Sequence, residues 1–186
     1  MPVGKYKKEQ IRKIAQKMKL PVFAKKDSQE ICFVPEKTPQ EFLKRYLKLK
    51  PGDIITTEGK KIGRHKGIAL YTIGQRKGLE MNAGPWYVAK IDEQKNQVVV
   101  TNDNKNPLLL NKIMRVKQVN WLQKVKLPIN MEIRIRYGHK GERGTLSKKV
   151  DFYEVKFKNK QRAITSGQSA VFYQKNEVIG GGLIIK

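Results

Sequence analysis

Glu132-Ile133-Arg134-Ile135-Arg136-Tyr137 changes character at every step, charged then apolar, for six residues. A strand sends successive side chains to opposite faces. This alternation therefore places Ile133, Ile135 and Tyr137 on one face and both arginines on the other. Around this hexapeptide lies a series of similar short runs: Ile113–Trp121, Met131–Tyr137, Gly144–Ser147, Phe152–Phe157, Ala163–Thr165, Ala170–Gln174 and Leu183–Ile185. Glycine, asparagine, aspartate and proline separate them, as turns require. Many short strands with regular turns predict a small closed barrel over residues 111–186.

Upstream, Ile68–Ile73, Trp86–Ile91 and Gln97–Thr101 also read as strands, the last two joined by a turn through Asp92–Asn96. They predict a central β domain over 51–110. The polar run Asn102-Asp103-Asn104-Lys105-Asn106-Pro107 marks its boundary. Residues 1–50 read differently. Ile11, Ile14, Ala15 and Met18 recur at helical spacing between lysines, and Leu20-Pro21 ends that helix. Thr38-Pro39-Gln40-Glu41 opens a second helix with a capping threonine, a proline in the first turn and a glutamate three residues after the cap. Phe42, Leu43, Tyr46 and Leu47 form its apolar face, and Lys50-Pro51-Gly52-Asp53 stops it. The fold class expected is mainly β with N-terminal helices.

Forty Lys and Arg against 16 Asp and Glu give 186 residues a net charge of +24. A field of that size favours a polyanionic partner. The charge is spread: residues 1–50 hold 14 basic and 5 acidic side chains, and residues 101–150 hold 12 and 3. That distribution suits a folded surface tracking a nucleic-acid backbone better than a basic tail. No apolar run approaches the ~20 residues that span a bilayer. The basic N-terminus lacks the apolar core of a signal peptide. One cysteine excludes an internal disulfide and fits a reducing compartment, so the cytoplasm is the expected location. With only His65 and His139 beside that cysteine, no metal site is expected.

The lone cysteine, Cys32, sits in Lys25-Lys26-Asp27-Ser28-Gln29-Glu30-Ile31-Cys32-Phe33-Val34-Pro35. The lysines favour a thiolate, the reactive form, while Asp27 and Glu30 oppose them. Ile31–Val34 reads equally as a plain strand with an inert buried thiol. The segment resembles the second catalytic-cysteine segment of the bacterial tRNA-specific 2-thiouridylases. Further resemblances follow in that family's order: Gly63-Arg64-His65-Lys66-Gly67, Tyr71-Thr72-Ile73-Gly74-Gln75-Arg76-Lys77-Gly78-Leu79, Pro85-Trp86-Tyr87-Val88, Thr165–Tyr173 and Gly180-Gly181-Gly182.

The resemblance implies a small central β-roll and a C-terminal closed barrel like those of translation factors. It implies that Cys32 accepts sulfur as a persulfide and delivers it to carbon 2 of an adenylated wobble uridine. Arg136, Tyr137 and Gln168 match positions that contact the tRNA anticodon arm, with Gly138 where a second arginine is commoner. Tyr137, on the apolar face by alternation, has core packing as its other reading. A sulfur-donor protein and an ATP-binding N-terminal domain, in cis or in trans, are the other implied partners. ATP is expected on that domain, because this sequence holds neither its Ser-Gly-Gly-x-Asp-Ser loop nor the family's first catalytic cysteine. Alone, the chain is expected to be inactive.

Lys66, Arg76 and Lys77 form a second basic cluster, read either as phosphate ligands or as charges on a structural turn. His65, between Arg64 and Lys66, is expected at the surface or on RNA. Trp86, Tyr87 and Trp121 are expected in the core or an interface. The glycines 180–182 are expected at a tight strand entry where side chains would clash. A different class of function also fits: a non-catalytic module that binds tRNA or rRNA through the β domains.

Overall fold

The computed structural model describes residues 2–25, 39–79, 81 and 84–185, in two units divided between Tyr46 and Leu47. In the first unit, α1 (Lys8–Lys17) forms where Ile11, Ile14 and Ala15 recur. Gln10 accepts the Lys7 N–H at 2.8 Å, satisfying a donor at the helix start. At the other end Lys19 takes a φ of 55°, and Pro21 bars a further turn. The Arg12 guanidinium donates to the carbonyls of Phe23 and Lys25 at 3.1 and 2.7 Å, tying the 3-10 turn Pro21–Ala24 to the helix. In α2 (Pro39–Tyr46) Phe42 and Tyr46 stack one turn apart, ring centres 4.7 Å from each other. Thr38 and Cys32, with the segment around the thiol, lie outside the described residues.

The second unit begins with a four-stranded sheet of β1 (Gly52–Thr56), β2 (Lys61–His65), β3 (Tyr87–Asp92) and β4 (Gln97–Thr101), in the order β2-β1-β4-β3. Strands β1 and β4 run parallel and the other pairs antiparallel. Ile54, Val88, Val98 and Val100 form its core, with Tyr71, Ile73 and Trp86 packed against them. The β3–β4 turn closes where Lys95 N–H meets the Asp92 carboxylate at 3.0 Å and Asn96 takes a φ of 51°. That hydrogen bond is the main reason the Asp92 carboxyl titrates below its ordinary range.

Two expectations need correction in this region. Ile68–Ile73 is not a strand: Ile68–Leu70 is a 3-10 turn and the chain continues in tight turns. Its apolar residues fill the sheet's core from a loop, and periodicity alone does not separate that from a strand. His65 is not at the surface. It is 2% exposed at the end of β2, edge-on to Tyr71, with Nε2 3.0 Å from the Asn96 carbonyl. Strand alternation sends Arg64 outward and His65 inward.

The six remaining strands close into an antiparallel barrel: β5 (Leu110–Trp121), β6 (Ile129–Arg134), β7 (Glu142–Lys148), β8 (Tyr153–Arg162), β9 (Ser169–Gln174) and β10 (Glu177–Ile185). The ring order is β10-β5-β8-β7-β6-β9, and the pairing of Ile133 with Phe172 belongs to the β6–β9 seam. Closure removes the unpaired edges that an open sheet would present. Inward residues, among them Val116, Ile133, Leu146, Phe157 and Phe172, fill the interior. Trp121 packs against Tyr153 and Phe172, as expected of a core ring. A Cβ on Gly180, Gly181 or Gly182 would stand 2.7 Å from a backbone oxygen of a neighbouring strand. The three glycines thus let β5, β9 and β10 approach closely: side chains would clash there, as expected, but the glycines lie inside β10 and not at its entry.

Ala163–Thr165, expected as a strand, is the connector after β8, and Ala163 takes a φ of 56°. This connector is where the barrel meets the sheet. The Gly74 turn packs so tightly on Ala163 that a Cβ at Gly74 would lie 2.5 Å from the alanine methyl. Arg162 lies over the Tyr87 ring at 5.0 Å and donates to the Asn104 carbonyl at 3.0 Å. The polar run before the barrel is ordered by its own side chains. Asp103 accepts from Lys105 N at 2.8 Å and Asn106 from Leu108 N at 3.0 Å.

Candidate nucleic-acid interface

The hexapeptide that announces the barrel also leads out of it. Strand β6 ends at Arg134, and Ile135, 1% exposed, is the last side chain directed inward. The chain then turns: His139 N–H returns to the Arg136 carbonyl at 3.2 Å, and Gly138 takes a φ of 72°. Tyr137 is therefore not in the core. Alternation stops at the barrel rim, and its ring stands fully in solvent, at 105% of reference exposure. A Cβ on Gly138 would meet nothing within 4 Å, so the position where an arginine is commoner in the family faces open space.

Gln168 arrives from the other side. Its carbonyl accepts from Ile184 N at 2.8 Å and Gly167 N donates to the Ile184 carbonyl at 2.9 Å, which clamps this turn onto β10. Arg136, Tyr137 and Gln168 line one groove of about 960 Å³, together with Arg134, His139 and Tyr173. The family resemblance points to the first three. Of the others, Arg134 is visible as the second outward residue of the same alternation, and Tyr173 as the end of the Thr165–Tyr173 motif. His139 carries no signal beyond its identity.

Hydrogen bonds orient these groups. Arg136 donates to the Arg162 carbonyl at 3.0 Å, so one arm of its guanidinium is anchored beside the connector. Arg134 is paired with Glu132 at 3.0 Å and lies 4.3 Å above the Tyr173 ring, a cation–π contact. His139 accepts the Gly141 N–H on Nδ1 at 3.2 Å, so its proton sits on Nε2, 3.1 Å from Gln161 Oε1. Burial, reinforced by the Arg136 charge and partly offset by the Gln161 hydrogen bond, holds His139 below its ordinary value of 6.5. The groove thus combines fixed arginines, an exposed phenol ring, an amide and a neutral imidazole. Guanidinium pairs with phosphate or base edges, a free ring stacks on an unpaired base, and an amide reads a base edge.

The second basic cluster is built differently. Gly74 and Gly78 take φ of 81° and 75°, as the turn reading requires. Gly74 N–H and Gln75 carbonyl bond to Val88 at 2.7 and 3.0 Å, and the Gln75 side chain bridges Thr72 N and Lys77 O. Arg76 and Lys77 project into solvent from this turn and do not line the Arg136 groove. Among the described residues no group of three or more His, Cys, Asp or Glu is placed to hold a metal. No helix among them is long and apolar enough to cross a membrane.

Three family models match the chain in succession: tRNA methyl transferase HUP domain over residues 1–36, tRNA methyl transferase PRC-barrel domain over 40–102, and aminomethyltransferase beta-barrel domain over 111–184. The tRNA-specific 2-thiouridylase MnmA of Pseudomonas paraeruginosa is 42% identical over 191 residues, covering 98% of this chain and 51% of that protein. MnmA 1 of Clostridium tetani is 45% identical over 190 residues, covering 99% of this chain and 52% of that protein. This chain belongs to the tRNA-specific 2-thiouridylase family. It spans about half the length of the curated relatives it matches. The 2-thiouridylase likeness runs through all three regions, and the HUP-domain match includes Cys32.

Proposed function

We propose that this chain grips the anticodon arm of a tRNA in the Arg136 groove and carries sulfur on Cys32. On this reading it forms part of a sulfurtransferase that 2-thiolates the wobble uridine. The observation that carries the binding half is the convergence of Arg136, Tyr137 and Gln168 on one groove from two separate turns. Arg136 holds a phosphate or base edge, Tyr137 stacks on an unpaired base, and Gln168 reads another base edge. The +24 charge supplies the long-range attraction.

The chemical half is supported by family membership and by the Asp27-Ser28-Gln29-Glu30-Ile31-Cys32-Phe33 segment. A sulfur-donor protein passes a sulfane sulfur to the Cys32 thiolate. The terminal sulfur of that persulfide bonds to carbon 2 of a uridine whose oxygen has been adenylated. The adenylate leaves, and a second thiol, from the ATP-binding domain, takes up Cys32 as a disulfide and frees the thiocarbonyl. That domain acts in cis or in trans and supplies ATP.

Persulfide labelling after incubation with a cysteine desulfurase tests the sulfur role. Labelling that depends on Cys32 supports it, and an unlabelled Cys32 beside a labelled full-length homologue refutes it. A second reading, an RNA-binding module without chemistry, draws on the fact that, among the described residues, those lining the groove all lie in the unit 47–186. Cys32→Ser separates the two once the ATP-binding domain is supplied. RNA binding persists under both, and thiolation is lost only if Cys32 is the carrier.

A further inference from the structure

Beside the Arg136 groove lies a second concavity of about 760 Å³, on the outer face of the barrel. Tyr173 borders both. Among the described residues five cations line the second one, Lys112, Arg143, Lys156, Lys158 and Lys175, against a single carboxylate, Glu132. Register explains their gathering. Tyr173 pairs with Glu132 and Glu132 with Arg143 across β9, β6 and β7, while Asn130, Thr145 and Lys156 pair across β6, β7 and β8. Strand alternation turns Arg143 and Thr145 outward while Gly144 and Leu146 face in, and likewise Lys156 and Lys158 against Val155 and Phe157. The carboxylate does not neutralise the patch, because Glu132 is already held by Arg134 through two 3.0 Å contacts.

We infer that the RNA track continues from the groove onto this face, where Arg143, Lys156 and Lys158 take the backbone phosphates of a paired stem; this rests on the groove being an RNA site. Lysine is a compact point charge suited to phosphate, and it is depleted in the buried centres of protein–protein interfaces. Among the described residues the concavity offers no exposed aromatic anchor of the kind protein partners use: Phe157 is 1% exposed, and Tyr173 is covered by Arg134. For the same reason it offers no free platform for unpaired bases. A duplex, which presents mainly phosphates and 2′-hydroxyls, fits it. Three strand steps from β9 to β8 span roughly 14 Å, room for consecutive phosphates of one strand.

The test compares the chain with its Arg143→Gln, Lys156→Gln, Lys158→Gln triple variant and with Tyr137→Ala. Binding of a stem–loop RNA, of a single-stranded oligonucleotide with the loop sequence alone, and of polyglutamate is followed across salt. All four side chains are exposed, and circular dichroism confirms that the barrel persists. With three phosphate-binding charges removed, the fall in stem–loop affinity between ~50 and ~200 mM salt becomes about 40-fold shallower in the triple variant, while loop-oligonucleotide binding is unchanged. A triple variant with the parent's stem–loop affinity and salt slope, beside a weakened Tyr137→Ala, overturns the stem contact and leaves the groove reading standing. Stem–loop binding untouched in both variants overturns both. A triple variant that loses polyglutamate but not stem–loop binding also overturns the inference and makes the face a site for acidic protein.

Discussion

The barrel and the central sheet each carry a basic, glycine-punctuated turn motif, yet they use them in opposite ways. Around Gly74 the motif is turned inward. Its backbone bonds to Val88, its glutamine bridges its own turn, and its glycine is pressed against Ala163. Around Gly138 the motif is turned outward, with an unhindered glycine and a fully exposed Tyr137. The packed turn leaves only flanking side chains such as Arg76 and Lys77 to solvent, whereas the one at the barrel rim has strands to hold its ends and solvent at its tip. Basic residues beside glycine thus mean different things according to what lies across from the glycine.

Gly74→Ala gives the largest expected effect of this contrast. The substitution combines a φ of 81° with a Cβ 2.5 Å from the Ala163 methyl. Left-handed strain and overpacking together cost roughly 2–4 kcal/mol. Urea unfolding of the variant reads this as a lower midpoint, and a stability equal to the parent's would break the assignment of this turn to packing.

Tyr137→Ala reverses the pattern. The ring touches no core, so unfolding stability stays within about 0.5 kcal/mol. Binding of a stem–loop RNA weakens by about 1–3 kcal/mol, the usual loss for one stacked base. A destabilised variant with unaltered RNA affinity would contradict the outward assignment.

The pH dependence is smaller. The folded pKa of His139 is depressed, so the unfolded chain binds the extra proton more readily. The stability this contributes is fully present above the ordinary 6.5 and is lost as pH falls through that value toward the folded pKa. Unfolding curves at descending pH, compared with those of His139→Gln, isolate the effect; a variant with the parent's pH profile would exclude His139 as its source. Smallest of all is Arg76→Gln with Lys77→Gln, exposed on the packed turn. Stability is unmoved, and the salt dependence of RNA binding shifts by less than one phosphate equivalent. A larger shift would bring the second cluster into the RNA surface.

Short runs between turn residues mark all six strands of the barrel, although Ala163–Thr165, read the same way, is a connector. Within β6 alternation gives the faces as far as Ile135, because a filled interior demands a period of two. The same rule misplaces Tyr137, since nothing in Ile135-Arg136-Tyr137 says that the strand ends at Arg134. It also misassigns Ile68–Ile73, where an apolar run serves the core from a loop. The charged neighbours of His65 point to the surface, although its burial follows from strand parity alone. The groove is half legible: Arg136, Tyr137 and Gln168 emerge through a family likeness, while the Arg134–Tyr173 contact and the His139–Gln161 pair depend on the β6–β9 seam and on the end of β8.

By itself the sequence determined the class of fold, the strand faces, the excess of positive charge and the single thiol, because these are properties of local pattern and composition. Only tertiary structure decided that one glycine turn is sealed and the other open, and that lysines from separate strands share one face. Those outcomes depend on which residues meet across a closed ring. Strand order and register set that meeting, and a short sequence window contains neither.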